Sequence, residues 1–166
     1  MRRAARRRRS PQAAPAALEL SLRRRVRDWA PSRRELRLWA GTALGRRAAG
    51  SELAIAIVGA PESRRLNAHY RGRNQPTNVL SFPATAAAAA ARPRPLGDLV
   101  ICARVLREEA RVQAKTLRAH WAHLVVHGAL HLIGYDHEVS AAAARMERRE
   151  IAVLRRLGFA NPYRSA

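Results

Sequence analysis

Apolar and polar positions that alternate predict two strands in the first sixty residues. Residues 18–22 (LELSL) and 52–59 (ELAIAIVG) place apolar side chains at every second position. This period of two is typical of a strand that buries one of its faces. Between the two strands, Ser32 is a suitable N-cap for a helix that extends to about Arg47.

Two more strands are predicted in the middle of the chain. Residues 78–83 (NVLSFP) and 96–103 (LGDLVICA) are short and largely apolar, and Pro83 ends the first of these runs. A short helix that begins at Pro61 precedes them. The alanine-rich segment 84–91 separates them, and the Arg-Pro repeats that follow it favour an exposed loop.

The second half of the chain is predicted to be mostly helical. One helix follows the fourth strand, with Val105, Leu106 and Val112 as its inward residues, and a last helix is capped by Ser140 and ends near Gly158. Strands and helices are therefore mixed without strict alternation. This order favours an α/β (α+β) fold, a single domain in which a small mixed sheet of about four strands packs against helices.

Between these two helices, residues 117–133 (LRAHWAHLVVHGALHLI) predict a buried helix, because apolar side chains surround its whole circumference. His127 and His131 are four residues apart, so their side chains lie one above the other. Gly134 predicts the end of the helix, since glycine enters the left-handed conformation without penalty. The chain then turns back, and we expect His137 to complete a metal site of three histidines.

A single zinc ion is the predicted cofactor. Three neutral imidazoles that leave one tetrahedral position open are typical of catalytic zinc, whereas structural zinc sites have four protein ligands. Imidazole ligands also suit nickel, copper and iron, so the position of the metal is better defined than its identity. A lone buried histidine is more often a hydrogen-bonded core residue, but a series of three with an intervening glycine favours a metal site.

Neighbouring residues refine this hypothesis. Gly128 occupies the position at which HExxH peptidases carry a glutamate base, which argues against a peptidase mechanism. His120 and His123 lie on the same side of the helix but at least a turn away, and we expect packing or substrate contact rather than ligation. Asp136 is either a carboxylate that orients a ligand histidine or a turn residue.

Charge and length set the remaining expectations. The chain has 166 residues, 48% of them apolar, and a net charge of +20, and Lys115 is its only lysine. Two interpretations of the arginines stay open, a compositional bias with a solvated surface or attraction to a polyanion such as nucleic acid. Residues 1–16 predict a disordered basic tail, with an organellar transit peptide as the alternative, and residues 17–166 form the domain.

A cytoplasmic location without a membrane anchor is expected. Cys102 is the only cysteine, so no internal disulfide can form, which fits a reducing compartment. No apolar run approaches the ~20 residues of a membrane-spanning helix.

Four motifs in series resemble the YbeY family of bacterial endoribonucleases and rRNA maturation factors. They are HGALHLIGYDH (127–137), LNAHYRGRNQPTNVLSFP (66–83), GDLVIC (97–102) and AHWAHLVVHG (119–128). The resemblance extends from about residue 52 to the end of the chain. The arginine-rich N-terminus and the insert at 84–91 match nothing in that family, and we assign them no role.

The resemblance implies zinc ligands at His127, His131 and His137 and a functionally important arginine at Arg71. A guanidinium binds two phosphate oxygens at once, which suits Arg71 to a nuclease. Without the resemblance, Arg71 would be taken as one exposed arginine among many. The family implies a single-strand-specific endoribonuclease that matures the 3′ end of small-subunit rRNA. It also implies ribosome quality control, with rRNA and ribosomal subunits as partners.

Two alternatives stay open. The first is a non-catalytic RNA-binding factor for ribosome assembly that uses the metal for structure. The second is a zinc hydrolase of amides or esters, which would have no need of Arg71.

Overall fold

The computed structural model of the chain describes residues 17–136 and 139–164. The predicted basic tail at 1–16 and the predicted ligand His137 therefore lie outside the described residues.

Within the described residues, four strands form one mixed sheet. They are β1 (Glu19–Arg24), β2 (Ser51–Val58), β3 (Val79–Pro83) and β4 (Arg94–Cys102). Their spatial order is β1-β2-β4-β3, in which β2 pairs in parallel with both β1 and β4, while β3 is antiparallel to β4. The predicted fold class is confirmed.

In the described part of the chain, five α-helices pack against this sheet and against one another. They are α1 (Arg33–Leu44), α2 (Ala60–Arg71), α3 (Ala103–Val112), α4 (Leu117–Leu132) and α5 (Ser140–Arg156). The insert between β3 and β4 forms an exposed 3-10 turn at Ala86–Ala90. Within the described ranges, no helix combines the length and the apolar composition that crossing a membrane requires.

The start of α1 follows from local sequence. Ser32 accepts a hydrogen bond from the Glu35 amide through its side chain, and Glu35 in turn accepts one from the Ser32 amide. This reciprocal capping box satisfies two amides that a helix N-terminus otherwise leaves unpaired. The predicted cap is confirmed, while the last predicted turn is a 3-10 segment, Gly45–Ala48.

Helix α4 lies at the centre of the molecule. It contacts α1, α3 and α5 on three sides and both β3 and β4 of the sheet. Ten of its sixteen residues are buried, including Trp121 and Leu130, which are fully inaccessible. The prediction of a buried helix is confirmed, and any side chain at the exposed edge of α4 is held by a rigid support.

Two predicted positions are wrong. Val112 is 75% exposed, because it lies about 240° around α3 from the buried Leu106, whereas Ala103 and Ala110 share the face of Leu106. Ser140 is the first residue of α5 and not its cap, and in the described part of the chain no side chain caps that terminus.

Candidate metal centre

Helix α4 carries four histidines along one side, which we call the histidine row: His120, His123, His127 and His131. Thr116 caps the helix by accepting a hydrogen bond from the Ala119 amide. Spacings of three and four residues bring successive rings together, with ring centroids 6.3, 6.3 and 4.6 Å apart from the first pair to the last. The closest pair lies at the C-terminal end of the row.

His127 and His131 direct the same ring atoms towards each other. His127 Nε2 and His131 Nε2 are 3.1 Å apart. Two imidazole nitrogens bound to one tetrahedral zinc ion, each at 2.0–2.1 Å, are about 3.3 Å apart. The pair therefore fits the spacing that a shared cation requires.

The chain reverses at Gly134, as the sequence predicts. Gly134 has a φ of +94°, and its amide donates to the carbonyl of His131 over 3.0 Å. The Tyr135 amide donates back to the carbonyl of Leu130 over 3.1 Å, which completes a glycine C-cap. The described chain then reaches Asp136, directly before His137. The third ligand itself stays a prediction.

Sequence reasoning missed Glu150, a carboxylate of α5 that is only 1% exposed. Its Oε1 atom is 2.7 Å from His127 Nδ1 and 3.6 Å from His123 Nε2, and its other oxygen accepts a hydrogen bond from the Tyr163 hydroxyl. Burial raises the pKa of Glu150, but the nearby His123 imidazole and the hydrogen bonds with His127 and Tyr163 outweigh that effect and lower its pKa to about 2. Burial and the neighbouring carboxylate raise the pKa of Tyr163.

One further arrangement of metal ligands is possible among the described residues. His123, His127 and Glu150 offer ligand atoms that all lie within 4.8 Å of one another. Both ring nitrogens of His123 are buried and have no hydrogen-bond partner in the described structure. His127 belongs to both arrangements; the other ligands are His123 and Glu150 in this group and His131 and His137 in the predicted site.

His120 has a partner of its own. Its Nε2 atom is 2.8 Å from Glu109, and Asn78 donates to both oxygens of that carboxylate over 3.1 Å. Burial raises the pKa of Glu109, but the hydrogen bonds from His120 and Asn78 more than offset it, so the net pKa is lowered. His120 is therefore a hydrogen-bonded core histidine, in agreement with the expectation that it packs.

A cleft of about 370 Å³ opens beside the histidine row, lined by Asn78, Glu109, His123, His127 and Tyr163 among others. A larger cavity of about 670 Å³ shares Lys115 and His123 with this cleft and is mostly apolar. Of the two, only the smaller cleft is lined by His127, on the His123 side of the candidate centre.

Arg71 ends α2 and is exposed. Its Nη2 atom donates to the carbonyl of Ser81 over 3.3 Å, and its guanidinium carbon is 5.8 Å from the centre of the Phe82 ring. The hydroxyl of Ser81 in turn lies against Gly128, the residue after His127. Arg71 is thus held on β3, where that strand meets α4 beside the histidines.

Gly128 has a packing reason to be glycine. A Cβ atom there would lie 2.8 Å from Leu99 Cδ2, closer than side chains tolerate. A glutamate base of the peptidase type has no room at this position. Asp136 is exposed, and the carboxylate bonded to His127 is that of Glu150, so the orienting role of Asp136 stays a prediction.

The fold is similar to the solution structure of TM1509 from Thermotoga maritima, with a TM-score of 0.54 and 20% identity over 87% of this chain and 99% of that one. At this identity the similarity concerns the fold alone. The model of the family described as Endoribonuclease YbeY matches residues 31–158, well over half of the chain and including both His127 and His131. The chain therefore belongs to the YbeY endoribonuclease family.

Proposed function

We propose that this chain is a metal-dependent, single-strand-specific endoribonuclease that matures the 3′ end of small-subunit rRNA and acts in ribosome quality control. Membership of an endoribonuclease family supports the reaction class. The observation that carries the proposal is the 3.1 Å approach of His127 Nε2 and His131 Nε2 on a buried, rigid helix. The proposed place of action is the cytoplasm, with rRNA and ribosomal subunits as partners.

The proposed ligands of one zinc ion are His127, His131 and His137. The two described ligands fit a zinc ion by their spacing and by the chemistry of imidazole, and the positive φ of Gly134 lies three residues before the proposed third ligand. A bound zinc ion supplies a Lewis acid that makes the phosphorus of a phosphodiester more electrophilic. The helix contributes a firm support for these histidines, because α4 packs against three helices and two strands.

Arg71 is the proposed phosphate-binding residue. The Ser81 carbonyl and the Phe82 ring orient its guanidinium, while the side chain stays exposed to a polyanionic substrate. A guanidinium binds two phosphate oxygens at once and stabilises the negative charge that increases as phosphorus becomes five-coordinate. Arg71 therefore neutralises charge that develops during the reaction.

The net charge of +20 suits this substrate. Positive surface charge attracts RNA over distance and releases its counterions on binding, which makes affinity depend steeply on salt.

The test is cleavage of a single-stranded rRNA fragment, with the same sequence in a duplex as the comparison. Wild type, His131→Ala and Arg71→Glu are purified identically, and the metal content of each is measured. Arg65→Glu is the matched control, because it makes the same charge change at an exposed site on the same helix. End-group analysis of the products distinguishes a cyclic phosphate from an ordinary phosphomonoester.

We expect wild type and Arg65→Glu to cleave the single strand and spare the duplex. His131→Ala should lose both metal and cleavage, whereas Arg71→Glu should keep metal and lose cleavage. Equal cleavage by all four would indicate a contaminating nuclease and contradict the proposal. RNA binding without cleavage, with His131→Ala mainly destabilised, would favour the assembly factor instead.

A further inference from the structure

Glu150 is a buried carboxylate of α5. In the described part of the chain, its ion pairs are with His123 and His127 alone, and Tyr163 is its other polar contact. A buried anion is costly unless positive charge or hydrogen bonds compensate it. A metal cation held on the far side of His127 would supply such charge through the imidazole ring.

We propose that Glu150 is a positioning residue of the metal centre, which fixes His127 with its proton on Nδ1, and that Tyr163 holds Glu150 in place. This inference rests on the proposed metal site at His127 and His131. It adds two residues from the C-terminal part of the chain to that site.

The hydrogen-bond geometry determines which nitrogen of His127 can bind metal. Glu150 lies 2.7 Å from Nδ1, so that nitrogen donates its proton to the carboxylate. In a neutral imidazole the lone pair is then on Nε2, the atom that lies 3.1 Å from His131 Nε2. Carboxylate, histidine and metal in this order form an arrangement that recurs in zinc proteins and increases the basicity of the ligand.

The same distance argues against Glu150 as a ligand. A zinc ion bound by both Glu150 Oε1 and His127 Nδ1 would hold these two atoms about 3.3 Å apart. They are 2.7 Å apart, which is the length of a charge-assisted hydrogen bond. Ligation by Glu150 together with His123 therefore requires the carboxylate to leave His127. The described geometry favours orientation over ligation.

Tyr163 connects the C-terminal segment to the centre. It lies beyond α5, where its amide donates to Asn161 Oδ1 over 2.9 Å and Lys115 donates to the carbonyl of Pro162 over 2.6 Å. These bonds hold the segment against the cleft, so that the tyrosine hydroxyl can donate to Glu150. Loss of the Tyr163 hydroxyl should make the Glu150 carboxylate less well fixed while leaving it in contact with His127.

Zinc affinity, measured by competition with a chromophoric chelator, tests the inference without reference to nuclease activity. We compare wild type with Glu150→Gln, Tyr163→Phe and His131→Ala. Glu109→Gln is the matched control, because Glu109 bonds a histidine of the same helix over 2.8 Å but lies outside the proposed centre. Loss of an orienting carboxylate should weaken zinc binding about 10- to 100-fold. Loss of the one tyrosine hydrogen bond should weaken it about 2- to 10-fold, and Glu109→Gln should leave it unchanged.

The tautomer of His127 provides a second test that needs no variant. Long-range ¹H–¹⁵N correlation spectra of the metal-free protein should show the proton on Nδ1. A proton on Nε2 would overturn the inference, even if Glu150→Gln failed to fold.

The outcomes separate this inference from the proposed function. Wild type that binds no zinc, or His131→Ala that binds it as tightly as wild type, would refute the metal site itself. Loss of zinc in His131→Ala with unchanged affinity in Glu150→Gln would refute only the role of Glu150.

Discussion

The packing of α4 on the sheet makes a specific prediction about Gly128. A Cβ atom at this position would lie 2.8 Å from Leu99 Cδ2 and 3.3 Å from Ser81 Oγ. Leu99 is 0% exposed and has little space into which its side chain can move. We therefore expect Gly128→Ala to lower the free energy of unfolding, although alanine normally favours a helix.

Two opposing contributions determine how much Gly128→Ala changes the free energy of unfolding. Overpacking of a buried contact costs about 1–3 kcal/mol, whereas alanine in place of glycine inside a helix gains about 1 kcal/mol. Gly41 in α1 is a matched control, since among the described residues no atom outside its local helix lies within 4 Å of a Cβ built there. Gly41→Ala should therefore show the gain alone. The two variants should differ by about 1–3 kcal/mol, the cost of the close contact.

Urea unfolding of both variants, followed by circular dichroism in the absence of metal, measures this difference. Thermal unfolding provides a check, since 1 kcal/mol corresponds to about 2–4 °C in a chain of this size. An increase in stability for Gly128→Ala that equals the increase for Gly41→Ala would refute the close approach of α4 to β4.

Three further predictions concern stability, catalysis and binding. Hydrogen bonds from Arg118 and Ser32 lower the pKa of Glu35 below its ordinary value of 4.5. The contribution of ionised Glu35 to stability is therefore complete above pH 4.5 and is lost as the pH falls through the lowered pKa. The difference in unfolding free energy between wild type and Glu35→Gln should then narrow in acid, and a constant difference in urea titrations would contradict this. Arg71→Lys keeps the positive charge but loses the paired hydrogen bonds to phosphate, so kcat should fall about 10- to 100-fold at unchanged zinc content. Full activity of this variant in single-turnover assays would exclude Arg71 from the reaction. The logarithm of RNA affinity should fall linearly with that of salt concentration, and binding by fluorescence anisotropy that is insensitive to salt would exclude an electrostatic interface.

Local sequence predicts the parts of this fold that local interactions determine. The N-cap at Ser32 and the glycine cap at 134 act over five residues or fewer, and both predictions are confirmed. The alternation in residues 52–59 predicts β2 for the same reason. The order of the strands could not be predicted from local sequence, because the placement of β4 between β2 and β3 depends on pairing between distant segments.

The missed residue Glu150 shows the same limit in the candidate centre. It reaches His127 across a helix–helix contact, 23 positions along the chain, so no local motif contains both. One signal was available, since Glu150 lies on the same face of α5 as the buried Met146, Val153 and Leu154. A carboxylate on the apolar face of a helix requires a polar partner, although sequence alone does not identify it.

The metal centre is tested most directly by anomalous diffraction at the zinc edge from crystals of the zinc-loaded protein. We predict one peak about 2.0–2.1 Å from both His127 Nε2 and His131 Nε2, with His137 as the third protein ligand. A peak between His123 and Glu150, or none near the histidine row, would contradict it.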